Sequence, residues 1–176
     1  MRNDRKDSRL YEYWAKLVER DESDISQDPS GFSSPNGDEK ALLGHVPGVL
    51  KQSCTRNGDP ASGSLAATEC HPAAGAGADL VIYQSFPSAD AMNTIYNNYI
   101  TNSGVARESG EAGACPREGT YSVPGKTVGH VLCFVKDQYA FIVWTDDAQL
   151  ILSVGAATAT ATGPLNDWWK DDSGPI

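Results

Sequence analysis

The hydrophobic pattern changes period once, sharply, near the middle of the chain. Residues 78–86 (ADLVIYQSF) read as a strand, with Leu80, Ile82 and Gln84 on one face and Val81, Tyr83 and Ser85 on the other. Pro87 and Ser88 then open a stretch in which Met92, Ile95, Tyr96, Tyr99 and Ile100 fall at i, i+3, i+4, i+7 and i+8. That is one stripe of an amphipathic helix. Asp90 lies in its first turn, where it favours the positive end of the helix dipole, and Gly104 is its stop.

Downstream, residues 105–118 are polar and loop-like. After them come GTYSV, a turn at Pro124-Gly125, a long strand over 127–135 and a tight connection at Lys136-Asp137. A strand over 138–145 follows, then a turn at Asp146-Asp147, an apolar run from Leu150 to Val154, and PLNDWWKDD, a short helix that lays Trp168 or Trp169 on the body. Upstream, Leu42, Leu43, Val46, Val49 and Leu50 keep helical spacing, but Pro47 cannot continue a helix without losing a hydrogen bond. The reading is a turn through Gly44–Val46, then a short helix with Pro47 in its first turn, running to Cys54. TRNGDPASG and HPAAGAG are loops on either side of a strand over 64–70. Strands joined by short turns, without strict alternation with helices, predict an α+β domain: a mostly antiparallel sheet with helices packed on one face and two disulfides.

Residues 1–38 read as a separate lead-in. Leu10, Trp14, Leu17 and Val18 make an amphipathic stripe, and DESDISQDPSGFSSPNGD is an acidic, flexible linker too polar to bury a core. Such an arm docks on its own domain or on another protein. The compact domain is expected over 39–176.

Formal net charge is −9, which argues against nucleic acid as a partner and against adsorption to anionic lipid. No apolar run approaches the roughly 18 residues of a membrane span, and the basic N-terminus lacks the uninterrupted apolar stretch of a secretory signal. Cys54, Cys70, Cys115 and Cys133 are even in number and lack CxxC spacing, which favours disulfides over a zinc site. Three pairings are open. The one favoured is Cys54–Cys70 with Cys115–Cys133, each closing a loop of roughly 15–20 residues and contributing about 3 kcal/mol through the unfolded state. Four free buried thiols in a cytosolic protein are the alternative.

Candidate chemistry is thin. His45, His71 and His130 are scattered over a turn, a loop and a strand. Ser53-Cys54 lies near His45 in sequence, but a disulfide consumes Cys54 and no GxSxG elbow exists. Asp146-Asp147, with Asp137, is the most suggestive acidic group. Without a DxDxDG loop it reads as a solvated turn ahead of a calcium site or a glycosidase pair. The glycine-rich stretches match neither phosphate-loop pattern. Trp14, Trp168 and Trp169 read as packing residues, with a shared exposed aromatic patch as the other possibility. No catalytic, cofactor-binding or metal-binding residues are expected.

The succession LLGHVPGVLKQSC, VIYQSFPSADAMNTIY, GACPREGTY, GHVLCF, IVWTDD and a terminal WW resembles, over roughly residues 41–170, a domain of actinobacterial proteins. That domain is commonly the extracytoplasmic C-terminal part of membrane-anchored Ser/Thr protein kinases, and is also found in related lipoproteins and secreted proteins. The resemblance implies a non-catalytic sensor or binding module with paired cysteines, meeting a protein or a small envelope-derived ligand. Kinase lobes and a membrane helix are not present in this chain. A second expectation is an accessory subunit of a larger assembly, attached through the N-terminal arm.

Overall fold

The computed structural model describes residues 35–173, except 109, 111–113, 125, 159 and 160. The expected arm therefore lies outside the described residues, apart from its last few positions. Helix α1 (Gly37–His45) takes in Gly37 and Asp38 of the expected linker. It is started by a capping box: Asn36 Oδ1 accepts from the Glu39 N–H and Glu39 Oε2 accepts from the Asn36 N–H. The predicted helix from Pro47 to Cys54 is not formed. The helical spacing of Leu42, Val46 and Leu50 instead continues from α1 through a turn and a single 3-10 turn, Lys51–Ser53. Asn36 and Glu39 supplied a stronger start signal than Pro47.

Strands β1 (Cys54–Arg56), β2 (Ala66–Cys70) and β3 (Leu80–Ser85) follow. Helix α2 (Ala89–Ser103) is capped by Ser88, whose hydroxyl accepts from the Ala91 N–H, and ends at Gly104 in the left-handed region (φ 71°), as expected. Then come β4 (Arg117–Val123), β5 (Lys126–Lys136), β6 (Tyr139–Asp146), β7 (Ile151–Ala157), α3 (Thr162–Trp168) and a π-helical turn, Trp169–Ser173. The seven strands form one sheet in the order β1-β2-β3-β7-β6-β5-β4, with every neighbouring pair antiparallel.

The α+β fold with an antiparallel sheet and two disulfides is as expected; the placement of the helices is not. They lie on both faces. On one face α2 packs Met92, Ile95, Tyr96 and Tyr99 against Leu80, Ile82, Leu132, Phe134, Val143, Leu152 and Val154. Each such burial contributes about 1.5–3 kcal/mol. On the other, α1 and α3 bring Leu42, Val46, Leu165, Trp168 and Trp169 against Val81, Tyr83, Val131, Ile142, Trp144 and Ile151. The reason is in the strands: β3, β6 and β7 bury consecutive residues, so both faces require a cover.

The bridges are Cys54–Cys70 and Cys115–Cys133. They sit at opposite edges of the sheet: the first ties β1 to β2, and the second ties the segment before β4 to β5. Trp168 reaches the sheet because β7 carries Gly155 beneath it. A Cβ there would stand 2.8 Å from Trp168 Cζ3 and 3.1 Å from Ile142 Cγ2.

Two outcomes follow. Gly155→Ala is expected to lower stability by about 1–3 kcal/mol in urea denaturation, because neither contact is with a flexible side-chain end. Glu39 is held below its usual value of 4.5, chiefly by its hydrogen bonds to the Arg56 guanidinium (2.9 Å from Nη2 to Oε2), against the opposing cost of burial. A depressed carboxylate adds stability above its unfolded value and loses it as pH falls through its folded one. Wild type should therefore lose more stability below about pH 4.5 than Glu39→Gln, compared by denaturation midpoints across that range.

Candidate functional site

Helix α2, the crossing from it to β4, and strand β5 together shape an open cleft of about 670 Å³. One wall is the end of the helix and the turn after it, Ser103 to Ala106 with Glu108; the other is Cys115-Pro116 with Thr162 from the start of α3; Phe134 and Val135 of β5 lie between. The helix end is fixed from several sides. The Gly104 N–H donates to Ile100 O (3.2 Å), the Val105 N–H to Ser103 Oγ (3.1 Å), and Lys136 Nζ to Asn102 O (3.1 Å). That ammonium stands where the negative end of the helix dipole favours a cation.

Behind the same wall lies a buried polar cluster. Glu118 has no exposed surface. Its Oε1 accepts from Tyr96 Oη (3.3 Å), and its Oε2 accepts from the Glu108 N–H (3.2 Å). His130 Nδ1 stands 3.4 Å and Arg107 Nε 3.9 Å from Oε1. Arg107 Nη2 also donates to Asn97 Oδ1 on α2. Burial, reinforced by the Glu118 charge, pushes the Tyr96 phenol well above the ordinary tyrosine range, so it remains a donor. The carboxylate meets no solvent; what it does is hold the 105–108 turn, and thereby one wall of the cleft, onto α2 and β4. Thr120 on β4 fixes the next part of the crossing by donating its N–H to Gly110 O (2.7 Å).

Sequence reasoning passed over Glu118, having placed it at the end of a polar loop. β4 begins at Arg117, two residues before the expected GTYSV strand. No alternation of apolar and polar residues marks Arg117-Glu118-Gly119, all three of which are buried, so the sequence carried no strand signal there. Arg117 is itself mostly buried; its Nη2 donates to Asn166 Oδ1 (2.7 Å) and its guanidinium lies 5.9 Å from the Trp169 ring centre. Desolvation lowers its pKa.

The other candidates separate. His45 ends α1, His71 lies beside Glu69 after β2, and His130 is on β5. The Ser53 hydroxyl donates to Leu50 O and Cys54 is bridged, so neither faces a base. Asp137 sits in the β5–β6 hairpin at φ 55°, at the far end of β6 from Asp146, so the three aspartates do not gather. Asp146 Oδ1 accepts from the N–H groups of Ala148 and Gln149 (3.0 Å each), and Asp147 Oδ1 accepts from the Thr145 hydroxyl (2.7 Å). The acidic pair organises its own turn. Among the described residues no three His, Cys, Asp or Glu side chains come together as a metal site. Trp168 and Trp169 are buried, edge-on to Trp144, so the described tryptophans form no exposed patch; Trp14 lies outside the described residues.

Removing the carboxylate leaves the Tyr96 hydroxyl and the Glu108 N–H without their acceptor. Glu118→Ala is expected to cost about 3 kcal/mol in chemical denaturation, and Glu118→Gln less, because it keeps an acceptor oxygen. A loss below about 0.5 kcal/mol for Glu118→Ala would show that the cluster does not hold the wall. Neither a family model, a curated protein nor a solved structure matches the chain.

Proposed function

We propose that this chain is a non-catalytic extracytoplasmic binding module, of the kind that serves as a sensor domain, and that its ligand sits in the cleft between the end of α2 and the Cys115–Cys133 bridge. The observation that carries the reading is the construction of that cleft. Its walls are tied by a disulfide and by a fully buried carboxylate, while its lining mixes the apolar Val105, Phe134 and Val135 with Ser103, Glu108 and Thr162. A concave site that offers both apolar and polar groups on a fixed frame is what a small ligand needs. Two bridges are compatible with an oxidising compartment. The resemblance to the ectodomains of actinobacterial Ser/Thr kinases points the same way, and makes cell-envelope components the first ligands to test.

The test is a thermal-shift screen of the folded chain against soluble envelope components, with Val135→Glu as the control. Val135 lines the cleft and is 43% exposed, so the change places a charge in the site while sparing the core. A true ligand at 100 times its Kd adds about 2.7 kcal/mol, which for a domain of this size raises Tm by several degrees. Val135→Glu should abolish that shift. An equal shift in the variant, or no shift from any component at millimolar concentration, would remove the cleft reading.

A further inference from the structure

We propose that the Cys54–Cys70 bridge is a thiol–disulfide exchange site, open to a dithiol reductant, whose reduction frees the edge strand β1 and loosens helix α1. This goes beyond the cleft and does not depend on it.

The two bridges close loops of similar length, 16 and 18 residues, so chain entropy does not distinguish them. Their placement does. Cys54 and Cys70 are directly opposed in the β1–β2 register. The main-chain bonds flanking them, His71 N–H to Ser53 O and Asn57 N–H to Ala67 O, put the pair at a non-hydrogen-bonded position. Facing residues there normally keep their Cα atoms about 4.5 Å apart, and relaxed bridges span about 4.4–6.8 Å. Here the Cα atoms are 3.9 Å apart, whereas those of Cys115 and Cys133 are at 5.4 Å, well inside the relaxed range. A facing pair pulled closer than its ladder allows stores strain, and strained bridges are the more readily reduced.

Access is alike at the two bridges, since Cys115 is half-buried as Cys54 is, and what differs is the consequence of opening them. β1 has three residues, and among the described residues it pairs with β2 alone. Cys133 by contrast lies within the long strand β5, between β4 and β6. Cys54 is half-buried and Cys70 fully buried, so an incoming thiolate meets Cys54 Sγ. Attack there forms a mixed disulfide and releases Cys70 as a thiolate, which takes a proton. The Thr68 hydroxyl, 4.0 Å from Cys70 Sγ, is the polar group beside that leaving sulfur. The second thiol of the reductant then attacks the mixed disulfide, closes its own ring disulfide and releases the Cys54 thiol. Two electrons pass to the protein, which gains two thiols. β1 carries Arg56, and Arg56 is the ion-pair partner of Glu39 on α1. Loosening β1 therefore reaches the helix that helps to cover one face of the sheet.

The folded, oxidised chain would be equilibrated with graded ratios of reduced to oxidised dithiothreitol, quenched by alkylation and mapped by mass spectrometry. Cys54 and Cys70 are expected to label at a ratio at least about tenfold lower than Cys115 and Cys133. At that intermediate ratio, amide exchange should rise in α1 and β1 while β5–β7 stay protected. The double variant Cys54→Ser/Cys70→Ser should show the same exchange pattern without reductant. Equal or reversed order of reduction would overturn the proposal, as would selective reduction that left α1 and β1 exchange unchanged.

Discussion

A sheet that is apolar on both sides has to be covered twice, and nearly everything in this molecule answers that demand. β3, β6 and β7 bury side chains of both orientations, so their unpaired surfaces would otherwise expose two broad hydrophobic planes. One plane is met by the long helix α2, the other by α1 over β2 and β3 and by α3 with the tryptophans of the C-terminal segment over β5–β7. The residues that permit this contact are small. Gly155 admits the Trp168 ring, and Gly77, at φ 111°, passes beneath the Pro164 backbone of α3 where a Cβ would collide.

The edges of such a sheet are its exposed weakness, since unpaired strand backbone invites further pairing. Each edge here is treated covalently. β1 is short and clipped to its neighbour, while the crossing into β4 is bridged to β5 and lies against β4 through the Gly110 carbonyl. At the β4 edge the crossing leaves a cleft; at the β1 edge it leaves a tight, opposed bridge. The two proposals therefore concern opposite ends of one sheet, each beside one of the two disulfides.

Many polar groups drawn into this frame are paired with one another, while a few, such as Tyr83 Oη, Gln84 Nε2 and Trp169 Nε1, are buried without a hydrogen-bond partner among the described residues. Glu118 is held by a phenol, a main-chain N–H and two cationic or potentially cationic side chains. Thr145 accepts from the His130 N–H, donates to Asp147, and its carbonyl accepts from the Tyr121 hydroxyl. That tyrosine is pushed up by burial and by the charges of Asp146 and Asp147, and remains a donor. These links position main chain. They explain why charged residues that looked suggestive in the sequence turn out to be engaged in turns and crossings.

The sequence by itself determined the elements whose signals are local. The change of period at Pro87-Ser88 and the Gly104 stop specify α2 to within a residue, and the turns at Lys136-Asp137 and Asp146-Asp147 specify the β5–β7 meander. Favouring the sequential cysteine pairing also identified both bridges, because each joins segments brought together by short-range antiparallel pairing. Tertiary structure decided what depends on the far side of a contact. Whether helices share a face is set by which strand becomes central, and β7, last in sequence, is inserted beside β3 only in the sheet. Glu118 is buried because α2 and the 105–108 turn close over it, and no window around residue 118 contains Tyr96 or His130. The cleft and the strained register of Cys54 with Cys70 arise the same way: they are distances between segments, which spacing along the chain does not encode.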